Sequence, residues 1–453
     1  MKNRKALDQF YHRKRTSKYL RRLNRRRKEE IRKMRAKFFE TENEMTLQLK
    51  REGSYISQLV TGSPAPEATH LGTSSGRHQV EIKLPEVFSI IDNPVESLNV
   101  FKGLAPALYD TDVESAGIQH KGISEHDLAA EILLGRVGKY CWDLHNAYGK
   151  SFEIKGNYPN QDLLTRKVKT FGLVKALEID GEQIDDESAK DEKLVLFHKR
   201  GSKEESIRIG SLDSKTRATQ GFVDHINNCL NEADYQLTED ASQELVEYVG
   251  EILANAQEHS GTGEWEIYGY LDRQNQNKVC EAVIYNFGNT ISDTFDELPE
   301  DDYARESLNK YIAHHESKKL FGRNWDRDSL TTLFALQGRV SSKNSKDDST
   351  RGQGTVDLIE FFQMISEEGS SGVDNSAKMC IFSGHNHIKF DGKYRLEENR
   401  GQPIIAFNKE NDLSFPPDER YVKKLKESFF PGTLIAIQFV LPDTATEELG
   451  NDQ

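Results

Sequence analysis

The sequence predicts a mixed α/β (α+β) protein, with two folded regions standing behind a basic helical arm. Three observations carry that expectation. Strand-like apolar runs appear in "HQVEIKLPEVF", where Val80, Ile82 and Leu84 alternate, and in "EWEIYGYL", "KVCEAVIYNFG", "AKMCIFSG" and "GTLIAIQFVLP". Apolar residues recur every three or four residues, as in helices, in "SEHDLAAEILLGRVGKYCWDLHNAYG", "RATQGFVDHINNCLNEA" and "ELVEYVGEILANAQEHS". Between the arm and the first strand, "TGSPAPEATHLGTSSGR" is too poor in apolar residues to order itself.

Taken in order, residues 1–50 read as the arm. Its first 40 residues hold 17 Lys and Arg against four acids, a net of +13, whereas the rest of the chain carries −26. Leu20, Leu23, Ile31, Met34 and Phe38 draw a narrow apolar stripe along this basic helix. Nucleic-acid phosphates attract such a helix through counterion release; packing on the acidic body or on a partner subunit suits it equally. A protein partner or homodimer is therefore expected, with nucleic acid an alternative partner for residues 1–40.

Residues 51–78 read as a flexible linker. Residues 79–204 alternate strands and helices as a small α/β domain, with "EKLVLFHKR" as its last strand and Ser124 placed to cap the helix that follows. Residues 205–443 form the larger region, and 444–453 read as a disordered tail. With 22 Phe and 16 Tyr, the 453 residues can fill real cores. The four cysteines lie far apart without a CxxC pair, so reduced thiols and no zinc site are expected. No apolar run reaches the ~20 residues of a membrane span, and the first residues lack an apolar signal segment. A cytoplasmic protein without membrane contact follows as an expectation.

The stretch 244–260 carries the chemistry. On a wheel of about 100° per residue, Leu245, Val249, Ile252, Leu253 and Ala256 share one face. Glu251 and Asn255 stand one turn apart on the other. An Asn carbonyl is a hard neutral ligand suited to magnesium, and a neighbouring carboxylate can take a proton from water. The same pattern also suits a solvated acidic face. Two further segments bear on the choice. "STRGQGTVDLIEFF" sets Gly352 and Gly354 before a helix, where free amides bind phosphate oxygens. "AVIYNFGNTI" ends a strand at Asn286, with Gly288 leaving room for a ring. No GxxxxGK[ST] is present, which excludes a P-loop. The histidines of "SGHNHIKF" and "AHHES" lack a nearby acid cluster and read as surface or turn residues.

An E-x-x-x-N helix, a strand, a polar-glycine turn, a long segment, a GxG helix and a strand opening on Gly-Thr follow one another over half the chain. That order resembles the GHKL ATPase superfamily. The resemblance implies a Bergerat α/β sandwich binding ATP and Mg²⁺ under a lid at about 292–350. It implies that Asn255 is the magnesium ligand and Glu251 the catalytic general base. It also implies nucleotide contacts from Asn286, Gly288, Arg351, Gly352, Gln353, Gly354, Thr355, Thr433 and Lys343. Asn286 departs from the family's aspartate, and Thr290 from its glycine, so adenine selectivity is put in question. The order of elements in 79–204 more weakly resembles STAS-like domains, in which a serine such as Ser124 is phosphorylated.

Three functions follow as expectations. The first is an ATP-hydrolysing switch in bacterial regulation or anti-phage defence. The second is a protein serine or histidine kinase of the same fold, although His225 of "GFVDHINNCLNEADY" suits a phospho-acceptor poorly. The third is a nucleic-acid- or partner-binding protein with ATP as a structural ligand.

Overall fold

The computed structural model describes residues 44–64, 78–110, 112–178, 194–202, 214–231, 234–272, 279–317, 326–337, 354–368, 377–399, 402–441 and 443–448. Its first element corrects the expected linker. Helix α1 (Glu44–Thr61) runs well into residues 51–78, because Leu49, Ile56, Leu59 and Val60 fall at helical spacing and are buried. Residues 1–43, most of the arm, lie outside the described residues.

The middle unit follows: β1 (Gln79–Lys83), β2 (Val87–Phe88), α2 (Pro94–Lys102), α3 (Ala105–Tyr109), β3 (Ser115–Gln119), β4 (Glu125–His126), α4 (Leu128–Ala147), β5 (Glu153–Asn157), α5 (Asp162–Thr170) and α6 (Leu173–Glu178). Strands β1, β3 and β5 make a parallel sheet in that order, and β2 pairs with β4. Asp127, not Ser124, caps α4: its carboxylate accepts from Ala130 N at 2.8 Å, while the Ser124 hydroxyl donates to Glu86 O. Helices α5 and α6 are separated at Gly172, where φ is +83° and a Cβ would sit 2.7 Å from Glu131.

The larger unit begins earlier than expected. Strand β6 (Phe197–Ser202), read as the last strand of the middle domain, pairs instead with the strand Glu264–Leu271. It is followed by α7 (Ser214–Asn231), β7 (Tyr235–Leu237), α8 (Glu239–His259), β8 (Glu264–Leu271), β9 (Val279–Phe287), α9 (Ile291–Asp296), α10 (Tyr303–Ser317), α11 (Arg327–Phe334) and α12 (Gly354–Glu368). Strands β10 (Lys378–Gly384), β11 (Asn386–Phe390), β12 (Glu397–Asn399), β13 (Gln402–Ile404), β14 (Val422–Lys424) and β15 (Phe430–Val440) complete it. A last short strand, β16 (Thr446–Glu448), pairs with β7, so the expected tail is structured at least to Glu448. The described part of the expected lid is likewise built in: Leu330, Leu333 and Phe334 of α11 are core residues.

Seven antiparallel strands form one sheet in the order β14-β11-β10-β15-β9-β8-β6. Because successive side chains point to opposite faces, the sheet serves two cores. Ile267, Ala282, Ile284, Met379, Ile381 and Ile437 pack with α7, α8, α11 and α12. Tyr270, Val283, Tyr285, Phe382, Phe430 and Leu434 pack with α1 and the middle unit. The sheet is the middle of three layers.

Ion pairs between the middle unit and the sheet, one of them buried and the others partly exposed, pin them together. Glu281 of β9 accepts from Leu128 N at 2.7 Å and from Lys167 Nζ at 3.1 Å. Arg136 of α4 bridges Glu52 of α1 and Glu266 of β8. Asp92 takes Lys378 and Lys389 at 2.9 and 2.6 Å. Among the described residues no helix is long and apolar enough to cross a membrane.

Candidate functional site

Thr238 caps α8 by accepting from Ala241 N, and Glu239 and Asp240 fill the first turn, where acids suit the helix dipole. Leu245, Val249, Ile252, Leu253 and Ala256 are buried, the stripe read from the sequence. Glu247, Glu251 and Glu258 are exposed, and Asn255 is half-buried beside that stripe. Helix α12 lies alongside, its Phe361 ring 4.6 Å from Tyr248. Asp357, one turn into α12, therefore reaches the acidic face of α8. Partial burial, Asp357 and Glu258 together raise the pKa of Glu251, with Lys215 pulling the other way. Burial and Glu247 raise that of Asp357.

Across the layer, three polar side chains cross the end of the sheet. Asn286 of β9 pairs with Thr433 of β15, and Thr433 with Ser383 of β10. All three share the parity of the helix-facing core residues. The Ser383 hydroxyl donates to Gly432 O at 2.7 Å, lies 3.1 Å from Thr433 Oγ1 and accepts from Ile291 N. Asn286 is only 5% exposed and its side-chain amide makes no hydrogen bond with the described residues, but the amide atoms are not sealed from solvent.

Gly288 has a packing reason of its own. Its φ is +133°, and a Cβ would lie 1.8 Å from Ser260 O at the end of α8. Thr290, at the family's glycine position, forms a capping box with Asp293 at the start of α9. Both line a cavity of about 1430 Å³ at the strand ends, together with Gln58, Asp328, Asn386 and Lys424. Glu251, Asn255 and Thr433 do not line it.

The structure thus brings Asn286 beside Thr433, and Asp357 of α12 beside Glu251. Gly354 and Thr355 are the first described residues of α12. Lys343, Arg351, Gly352 and Gln353 lie outside the described residues. Among the described residues no group of three or more His, Cys, Asp and Glu side chains could hold a metal ion. All four cysteines are buried thiols outside any disulfide.

Two site residues escaped the sequence reading. Ser383 was detectable as the polar end of "AKMCIFSG", on the parity of Met379 and Ile381. Asp357 gave no signal, since its meeting with Glu251 depends on how two helices distant in sequence pack. The histidines need a correction. His385 does sit in a turn, bonding the carbonyls of Leu425 and Ser428. His387 is 1% exposed and donates to Ile90 O at 2.8 Å, because the middle unit covers its face of the sheet. His314 and His315 are half-buried on α10.

Comparison with known proteins finds no matching family model, no matching curated protein and no matching solved structure.

Proposed function

We propose that the helix face of the seven-stranded sheet binds magnesium–ATP and hydrolyses it, so that the protein works as a nucleotide-driven switch. The observation that carries this reading is the side-chain amide of Asn286, unbonded to the described residues and open to solvent beside Thr433 at the end of the sheet. Such an amide offers one donor and one acceptor to a base edge presenting the complement. Asn255, also without a side-chain hydrogen bond among the described residues, is the group on α8 that would hold the cation through its carbonyl oxygen. Magnesium takes its other positions from phosphate oxygens and water, so it needs no carboxylate cage. When bound, it neutralises phosphate charge.

Glu251 stands one turn before Asn255 and is placed to accept the proton of an attacking water. Its raised pKa makes it a stronger base than a fully solvated carboxylate. Amides at a helix start suit phosphate oxygens, and Gly354 and Thr355 of α12 would offer theirs, glycine allowing close approach. The test is steady-state phosphate release by Glu251→Gln. Turnover should fall about 10²–10⁴-fold while nucleotide binding persists. Turnover at the wild-type rate would remove Glu251 from the proposed role.

A further inference from the structure

The end of β9 presents two faces. Asn286 looks toward the helices, while the next residue, Phe287, looks toward α1. The Phe287 ring lies 5.5 Å from that of Tyr55 at an interplanar angle of 16°, and 5.8 Å from that of Phe430. Tyr55 belongs to a helix that is itself firmly seated. Glu52 meets Arg136 at 3.0 Å, Arg51 meets Glu264 at 2.6 Å, and Leu49 O accepts from Tyr140 at 3.0 Å. At the other end of α1, a Cβ on Gly62 would lie 2.0 Å from Glu427 O, so the chain there butts against the turn before β15. Gln58, one turn after Tyr55, shares the cavity wall with Gly288 and Thr290.

We propose that Tyr55 is a positioning residue for the nucleotide site: stacked on Phe287 from behind the sheet, it sets the turn from Asn286 to Gly288 that meets the base. The inference rests on the nucleotide reading above and adds to it a residue outside the sandwich. Tyr55 touches no nucleotide and acts only through Phe287. An aromatic pair is worth enough beyond its buried area to shift binding by about three- to tenfold. Because Tyr55 is half-buried and its hydroxyl has no hydrogen bond among the described residues, the ring alone is required.

The experiment titrates magnesium–ATP and magnesium–GTP into full-length wild type, Tyr55→Ala, Tyr55→Leu and Tyr55→Phe, alongside the melting temperature of each without nucleotide. The expected result is three- to tenfold weaker ATP binding and a smaller ATP-to-GTP ratio for both Ala and Leu, with Phe restoring both. Unchanged affinity and ratio in Tyr55→Ala would overturn the positioning role alone. So would full recovery in Tyr55→Leu, which would make the contact generic packing. Wild type that binds no nucleotide would overturn the nucleotide reading, and this inference with it.

Discussion

Lys167→Met tests how firmly the middle unit is fixed to the sheet. The Lys167 ammonium and the Glu281 carboxylate are 3.1 Å apart, with side chains 11% and 2% exposed. Burial pushes the Glu281 pKa up, but Lys167, the Tyr270 hydroxyl and Leu128 N outweigh it, and the group is held below the usual carboxylate range. Methionine keeps most of the lysine volume and removes only the charge. Removing one partner of a buried pair costs about 3–5 kcal/mol. Here Leu128 N, Tyr270 and Gln438 still donate to the carboxylate, so the lower end, about 3 kcal/mol, is expected. Chemical denaturation at neutral pH measures it. Lys167→Met combined with Glu281→Gln should be more stable than Lys167→Met alone, because no charge is left buried without its counter-ion. The loss should also shrink in acid, where Glu281 can take up a proton. A single variant within about 0.5 kcal/mol of wild type, a change typical of surface sites, would refute the reasoning. So would a double variant no better than the single one.

Two further outcomes follow. Burial lowers the His387 pKa from its ordinary 6.5 to about 4. A histidine whose folded pKa is depressed contributes stability above its unfolded value, which is lost as pH falls from 6.5 toward 4. About 2 kcal/mol should go between pH 7 and pH 5, and His387→Gln should flatten that slope; an equal slope in the variant would exclude His387 as its source. His145, also lowered by burial, contributes in the same direction. Gly288→Ala must place a Cβ against Ser260 O at φ +133°, so a loss of about 2 kcal/mol or more in denaturation is expected, and a neutral substitution would show that this turn relaxes freely.

Local pattern carried much of the architecture. The stripe of α8 is buried residue for residue as its spacing indicates, and β8, β9, β10 and β15 fall on the strand-like apolar runs. The misses share one physical cause: each turns on contacts between residues far apart in sequence. Residues 51–61 have few apolar side chains, and only their seat between the middle unit and the sheet shows that Ile56, Leu59 and Val60 suffice. Strand β6 carries exposed Lys199 and Arg200, and its partner β8 lies about 65 residues away. Thr446–Glu448 has no strand signal apart from its pairing with Tyr235–Leu237. At the site, sequence order named Glu251, Asn255, Asn286 and Thr433. It did not reveal that Gly288 is also required by a close backbone crossing, or that Thr290 is engaged in capping α9.

The central claim is that the amides of Asn255 and Asn286 serve a magnesium–adenine nucleotide. Calorimetric titration of ATP into full-length protein, with and without magnesium, tests it most directly. Saturable binding strengthened by magnesium is expected, with Asn255→Ala losing that magnesium dependence. Heat flow indistinguishable from buffer, or an Asn255→Ala variant that responds to magnesium as wild type does, would contradict the account.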